Sequence, residues 1–216
     1  MIKVKWITSS QNNFLKTLAA SIFTLALSLP AYSNEIGLQL YSLRNQMAED
    51  LPAAIQKIDD WGIHAVEGAG NLYGYPLSEF KAMFDKHHIQ IVSVDTSFEE
   101  VRDNPMAIVY KARYFGARFA TFYWIPHENE TFTIDDAKKG VEAMNKAGAI
   151  LKANGITLQY HPHGYEFGEY KGETLLDYML KNVTDAKFQM DVFWIKQGGA
   201  DPVDFLTRYP GKFTSL

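Results

Sequence analysis

From Glu35 onward, short apolar or β-branched runs alternate with longer amphipathic ones. The short runs begin near Ile36, His64, Ile89, Phe119, Ile156, Lys187 and Phe213, at spacings of 28, 25, 30, 37, 31 and 26 residues. That is the rhythm of consecutive βα units, and no local sequence repeat accompanies it. The runs between them read as helices. Asp50 can cap one in which Leu51, Ala54, Ile55, Ile58 and Trp61 share a face, with Gly62 ending it. Leu77, Phe80, Met83 and Phe84 stripe a second, and Asn104 to Gly116, with Pro105 in its first turn, gives a third. Thr133 caps the longest, whose Ile134, Ala137, Val141, Met144 and Leu151 line one side before Asn154-Gly155. Thr174 to about Asn182 is the fifth, and Asp201-Pro202 opens a sixth whose Phe205 and Leu206 are expected to face inward.

Seven strand starts and six helices fit an α/β fold of two kinds. One is a doubly wound open sheet. The other is a (β/α)8 TIM barrel, incomplete, with about six and a half βα units and the last strands lacking; a full barrel takes about 250 residues. Acids and imidazoles at several adjacent strand ends favour the barrel, because only there do many neighbouring strands contribute to one mouth.

The first 33 residues stand apart. They carry Lys3, Lys5 and Lys16 and no acid, followed by an apolar run from Thr17 to Pro30 and the small-x-small triplet Ala31-Tyr32-Ser33. This pattern predicts a signal peptide over residues 1–33, cleaved before Asn34, and an exported, periplasmic or secreted protein with no membrane segment after cleavage. Residues 34–216 then form the barrel domain. Without the leader, 18 basic residues face 25 acidic ones, a charge of −7. A mildly acidic body without a basic run argues against nucleic acid as partner. With no cysteine, no disulfide framework exists to form after export.

Candidate chemistry gathers after the strand-like runs. The first ends at Tyr41-Ser42-Leu43-Arg44, the second at Glu67, the third at Asp95, the fourth at Trp124 and His127, and the sixth at Asp191 and Trp194. The fifth runs into Tyr160-His161-Pro162-His163-Gly164-Tyr165-Glu166-Phe167, two imidazoles and a carboxylate within six residues. His161 and His163 alternate, so an extended backbone points them to one side, and Gly164 lets the chain turn back toward Glu166. Asp191, among apolar neighbours, would be costly to bury unpaired; a cation or a histidine network would relieve it. Asp95 before Thr96-Ser97 reads as a turn former, and His127, Glu128 and the His87-His88 pair read as solvated surface. No nucleophile elbow, P-loop or dinucleotide fingerprint is present; Gly68-Ala69-Gly70 matches none of them.

In these residues the chain resembles the xylose isomerase-like TIM-barrel superfamily, the sugar phosphate isomerase/epimerases. The likeness rests on Ile36-Gly37-Leu38-Gln39-Leu40-Tyr41-Ser42-Leu43-Arg44, Ala65-Val66-Glu67, the octet from Tyr160 to Phe167, and Met190-Asp191-Val192-Phe193-Trp194 running to Gly198-Gly199-Ala200-Asp201-Pro202. The resemblance implies a divalent cation (Mn, Zn, Mg or Co) held by two glutamates, an aspartate and a histidine from strand ends. Asp191 and Glu166 are the implied metal ligands, with His161 or His163 as the alternative donor from the fifth strand. The remaining histidine, in a His-x-Lys-Asp motif, and the second glutamate would follow Leu216.

By the same resemblance the expected activity is a metal-dependent sugar or keto-sugar isomerase or epimerase acting through an enediolate on a small carbohydrate. Glu67, His161 and His163 are the catalytic candidates, and Tyr41, Trp124 and Trp194 the substrate-binding ones. Two further readings accompany it: an exported 3-keto-glycoside lyase or hydrolase on the same fold, and a catalytically inactive sugar-binding protein. An unclosed barrel would expose a strand edge, which predicts poor solubility or a homo-oligomer.

Overall fold

The computed structural model describes residues 36–129 and 131–216. The expected signal peptide lies outside them. Seven strands form one parallel sheet: β1 (Leu38–Gln39), β2 (Ala65–Glu67), β3 (Gln90–Asp95), β4 (Phe119–Phe122), β5 (Thr157–Tyr160), β6 (Lys187–Gln189) and β7 (Phe213–Ser215). Each begins within two residues of its expected start. The strands lie in the sheet in chain order from β1 to β7. A doubly wound sheet would reverse direction at a switch point; this one is wound in one sense, as a barrel is.

The curl of the sheet is visible in one hydrogen bond. Gln189 follows the path of β6 and donates from Nε2 to Glu67 Oε2 on β2 at 2.8 Å, although the two residues are 122 positions apart. Four strand spacings of about 4.8 Å would hold β2 and β6 roughly 19 Å apart in a flat sheet, beyond the reach of two side chains. The sheet therefore bends round its own interior into a partial (β/α)8 barrel.

Between and after the strands lie helices α1 (Arg44–Glu49), α2 (Leu51–Asp60), α3 (Leu77–Lys86), α4 (Phe98–Asp103), α5 (Pro105–Phe115), α6 (Ile134–Ala153), α7 (Leu175–Asn182), α8 (Val192–Gln197) and α9 (Pro202–Arg208). The expected caps Asp50 and Thr133 are present, Asp50 accepting from the Ala53 amide at 3.0 Å and Thr133 forming a capping box with Asp136; Thr174 forms a further capping box with Asp177. Beneath them Phe80, Phe84, Phe122, Tyr160, Phe188 and Phe205 are almost fully buried.

Several details depart from expectation. Trp61 is 51% exposed and Leu206 38%, so each helix buries a narrower stripe than its apolar pattern implied. Three short helices, α1, α4 and α8, occupy stretches read as loop or strand end. The last of these matters most: Val192-Phe193-Trp194 does not continue β6 but starts α8, which Asp191 caps by accepting from the Trp194 amide at 3.1 Å. Val192 and Phe193 are about half exposed, so Asp191 stands at a helix end and not within an apolar wall. No helix of the described residues is long and apolar enough to cross a membrane.

Candidate active site

Strand alternation sends successive side chains to opposite faces. At the carboxyl ends of β3 to β6 this repeats one short pattern, polar, apolar, polar: Ser93-Val94-Asp95, Thr121-Phe122-Tyr123, Gln159-Tyr160-His161 and Gln189-Met190-Asp191. The apolar members pack outward; the polar ones meet inside. Ser93 Oγ lies 2.7 Å from Thr121 Oγ1, Gln159 Nε2 donates to Thr121 Oγ1 at 2.8 Å, and Thr214 Oγ1 donates to Gln159 Oε1 at 2.7 Å. This polar layer forms the floor on which the acids and imidazoles stand.

Glu67, His161 and Asp191 belong to one chain of contacts. Glu67 accepts from Gln39 Nε2 at 2.9 Å through one oxygen and from Gln189 Nε2 through the other. Gln189 Oε1 lies 2.7 Å from His161 Nδ1, and His161 Nε2 lies 3.2 Å from Asp191 Oδ2. Burial pushes the Glu67 carboxyl above its ordinary range, against the opposing pull of the Gln189 and Gln39 amides. Beside it, Asp95 accepts from Tyr123 Oη at 2.7 Å and from the Gly70 amide at 3.1 Å; burial raises its pKa as well. A Cβ on Gly70 would fall 2.6 Å from Asp95 Oδ2, so that close approach requires glycine. Burial first and Asp95 second push the Tyr123 phenol far up, which keeps it a neutral donor.

The octet divides in two. His163 stays with His161, ring centroids 4.8 Å apart, and 5.7 Å from the Trp194 ring. Burial and then the neighbouring His161 lower its pKa, and its Nδ1 has no hydrogen-bond partner. Glu166, expected as a metal ligand, is engaged by other partners here. Gly164 adopts a left-handed conformation with φ of 99°, and Glu166 folds back to accept from the amides of His163 and Gly164 at 3.2 and 3.1 Å and from the Tyr160 hydroxyl. Tyr160 faces outward with Phe122 and Phe188, so the Glu166 carboxylate, 1% exposed, ties the loop to the outer core.

Aromatic side chains rim this end of the sheet. Trp124 is 44% exposed and stacks on His127 at 4.1 Å, with Tyr165 edge-on at 5.4 Å. His127 is accordingly no solvated loop residue: its Nδ1 lies 2.7 Å from the Ile125 carbonyl, and its Nε2 is buried without a partner. Tyr41, on the turn after β1, is exposed and carries the Arg44 guanidinium 4.3 Å over its ring. A separate cavity of about 400 Å3, lined by Lys81, His88, Gln90 and Phe115 among others, opens at the amino end of β3, away from these groups.

His161 Nε2 and Asp191 Oδ2 suit a divalent cation as two of its donors, since ligand bonds of about 2.1 Å set neighbouring donors roughly 3.0–3.4 Å apart. Among the described residues no group of three or more His, Asp or Glu side chains is arranged to hold a metal, so these two stand as a pair. Sequence reading found Glu67, His161 and Asp191 but missed Gln39, Gln189, Tyr123 and the role of Asp95. The repeated polar-apolar-polar ending of four strands was the signal that could have found them.

Comparison with known proteins agrees with this architecture. The chain is similar to two solved sugar phosphate isomerase/epimerases from Parabacteroides distasonis ATCC 8503. One matches at 26% identity and a TM-score of 0.72, over 87% of this chain and 75% of that one. The other matches at 26% identity and a TM-score of 0.68, over 84% and 77%. The IOLI protein, solved with a bound zinc atom, matches at 13% identity and a TM-score of 0.62, over 82% and 69%, which shows the fold alone. Neither a protein-family model nor a curated protein matches the chain.

Proposed function

We propose, for a chain that has the fold of the xylose isomerase-like TIM barrels, an isomerase or epimerase of a sugar or keto-sugar. The observation that carries this reading is the pairing of His161 Nε2 with Asp191 Oδ2 at 3.2 Å beside the half-buried carboxyl of Glu67. Its likeness to the two Parabacteroides proteins supports it. A divalent cation on His161 and Asp191 would polarise a carbonyl and its adjacent hydroxyl. The chain's own residues supply the rest. Glu67, its pKa raised by burial, moves the proton at the carbon next to the carbonyl, the role for which a carboxyl of raised basicity is suited. Its two amide donors hold it in place, and Tyr123, kept neutral, offers a hydroxyl toward the same space. His163, also held neutral, contacts substrate oxygens, while Trp124 and Trp194 stack against the sugar's apolar face.

The reading includes an exported location, drawn from the basic start, apolar run and small-x-small triplet of residues 1–33. Fractionation of cells making the full chain tests it, and a chain retained with its leader in the cytoplasm would overturn it. The chemistry is tested by incubating the full chain with ketoses in D2O, with manganese, zinc, magnesium or cobalt. Deuterium should enter the carbon next to the carbonyl, and its absence with every metal and ketose would count against the isomerase reading. The exposed rings of Trp124 and Phe193 favour one second reading, cleavage of a keto-glycoside, because they offer flat apolar surface for a second ring. An aglycone released from a keto-glycoside would support that reading, and isomers alone would remove it.

A further inference from the structure

The Gln189 side chain lies where neither the outer core nor the substrate-facing groups require a glutamine. It is 5% exposed and inside the barrel, and both ends of its amide are used. An ionised carboxylate only accepts hydrogen bonds. Gln39 already donates to Glu67 Oε1, so Glu67 Oε2 takes the Gln189 NH2 at 2.8 Å, which forces the Gln189 carbonyl oxygen toward His161. That oxygen also only accepts, and it lies 2.7 Å from His161 Nδ1. The proton of the neutral imidazole therefore belongs on Nδ1, and the lone pair of Nε2 looks at Asp191 Oδ2 across 3.2 Å. The second Asp191 oxygen is engaged by the Trp194 amide. Two acceptors face each other, a gap that a cation or a substrate hydroxyl can enter.

Without the glutamine the cheaper arrangement is different. Nε2 would carry the proton and donate it to Asp191, and the pair would close on itself. We propose that Gln189, anchored across the barrel by Glu67, is a positioning residue that keeps the His161 proton on Nδ1 and so holds the His161–Asp191 pair open for a cation or substrate hydroxyl. This deepens the proposed function and rests on it only for what enters the gap; the choice of tautomer stands on the hydrogen-bond chain alone.

The test is the protonation pattern of His161 in the full chain labelled with 15N-histidine, read from two-bond 1H–15N correlations at about pH 8, above the ordinary histidine range. The wild type should show a protonated Nδ1 and a bare Nε2. Gln189→Leu should reverse the pattern. Glu67→Gln, which removes the acceptor-only anchor and lets the amide turn, should give a mixture of both tautomers, and it answers the question even if the leucine variant does not fold. Zinc titrated into the same samples should bind roughly 10–100-fold more weakly to Gln189→Leu than to the wild type. A wild type protonated on Nε2, or folded variants that keep the wild-type tautomer, would overturn the proposal. If the tautomers behave as expected but the wild type binds no zinc and turns over no ketose, the positioning role stands and the metal-dependent isomerase fails.

Discussion

Along β5, Leu158 and Tyr160 turn toward the helices, and the Tyr160 ring packs on Phe122 and Phe188, whereas Gln159 and His161 turn inward to Thr121 and Gln189. Four-residue strands thus carry two kinds of surface, one apolar and closed, the other polar and linked by directional bonds. Even the acids follow the division. Glu166, on the outer side, has its oxygens engaged by Tyr160 and by the amides of His163 and Gly164, while Asp191, on the inner side, holds one oxygen toward His161 and the other toward a helix end. The outer layer holds the fold together and the inner layer poises groups for chemistry. That separation allows mutations to be assigned in advance to stability or to activity.

The largest effect should come from the outer face. Phe188→Ala, at a fully buried ring between β5 and β7, should destabilise the chain by about 3–5 kcal/mol, read as a fall in the denaturant midpoint. A loss below 1 kcal/mol would erase the distinction between the layers. Next, Asp191→Asn should lower turnover by at least about 100-fold with little change in melting, because asparagine still caps α8 but removes the charge facing His161. A large loss of stability instead would mean that this face, too, is structural. Tyr160→Phe should cost about 1–3 kcal/mol, since it leaves the buried Glu166 carboxyl short of a donor, while catalysis per folded molecule stays unchanged. The smallest effect is at the rim: Trp124→Ala should raise KM by about 3–10-fold without altering kcat or stability.

Individual carboxylates should also differ in their response to pH. Burial alone would raise the Asp177 carboxyl, but hydrogen bonds from Thr174, Tyr209 and Arg208 override it and hold the pKa down at about 2. Its contribution is therefore present above the ordinary aspartate value of about 3.9 and is lost as pH falls toward 2. Glu67 and Asp95 work in the opposite sense. Their folded pKa values are raised, so ionisation withdraws stability as pH climbs from about 4 through those values. Denaturation midpoints measured across this range should flatten on the acid side in Asp177→Asn and on the alkaline side in Glu67→Gln. Unchanged slopes in both would contradict these assignments.

Much of this was legible beforehand because it is local. The caps Asp50 and Thr133 announce helices within four residues of themselves, and the apolar runs place each strand of the seven-stranded sheet to within two residues. His161, Asp191 and Glu67 stood out as acids and imidazoles at strand ends. The partners of Glu166 were not legible, because proximity along the chain says nothing about which side of a strand a loop returns to. Val192-Phe193-Trp194 misled for a related reason: an apolar triplet of that length suits a strand end or a first helical turn equally well.

The sequence by itself determined the βα rhythm, the strand positions and the types of chemistry available, since periodicity and capping act over a few residues. Only the tertiary structure decided which groups work together. Gln189 reaches Glu67 because the sheet curls until strands four places apart share one interior, and that curvature is a property of all the strands at once. Through that contact a glutamine without reactive chemistry of its own comes to govern which nitrogen of His161 faces Asp191.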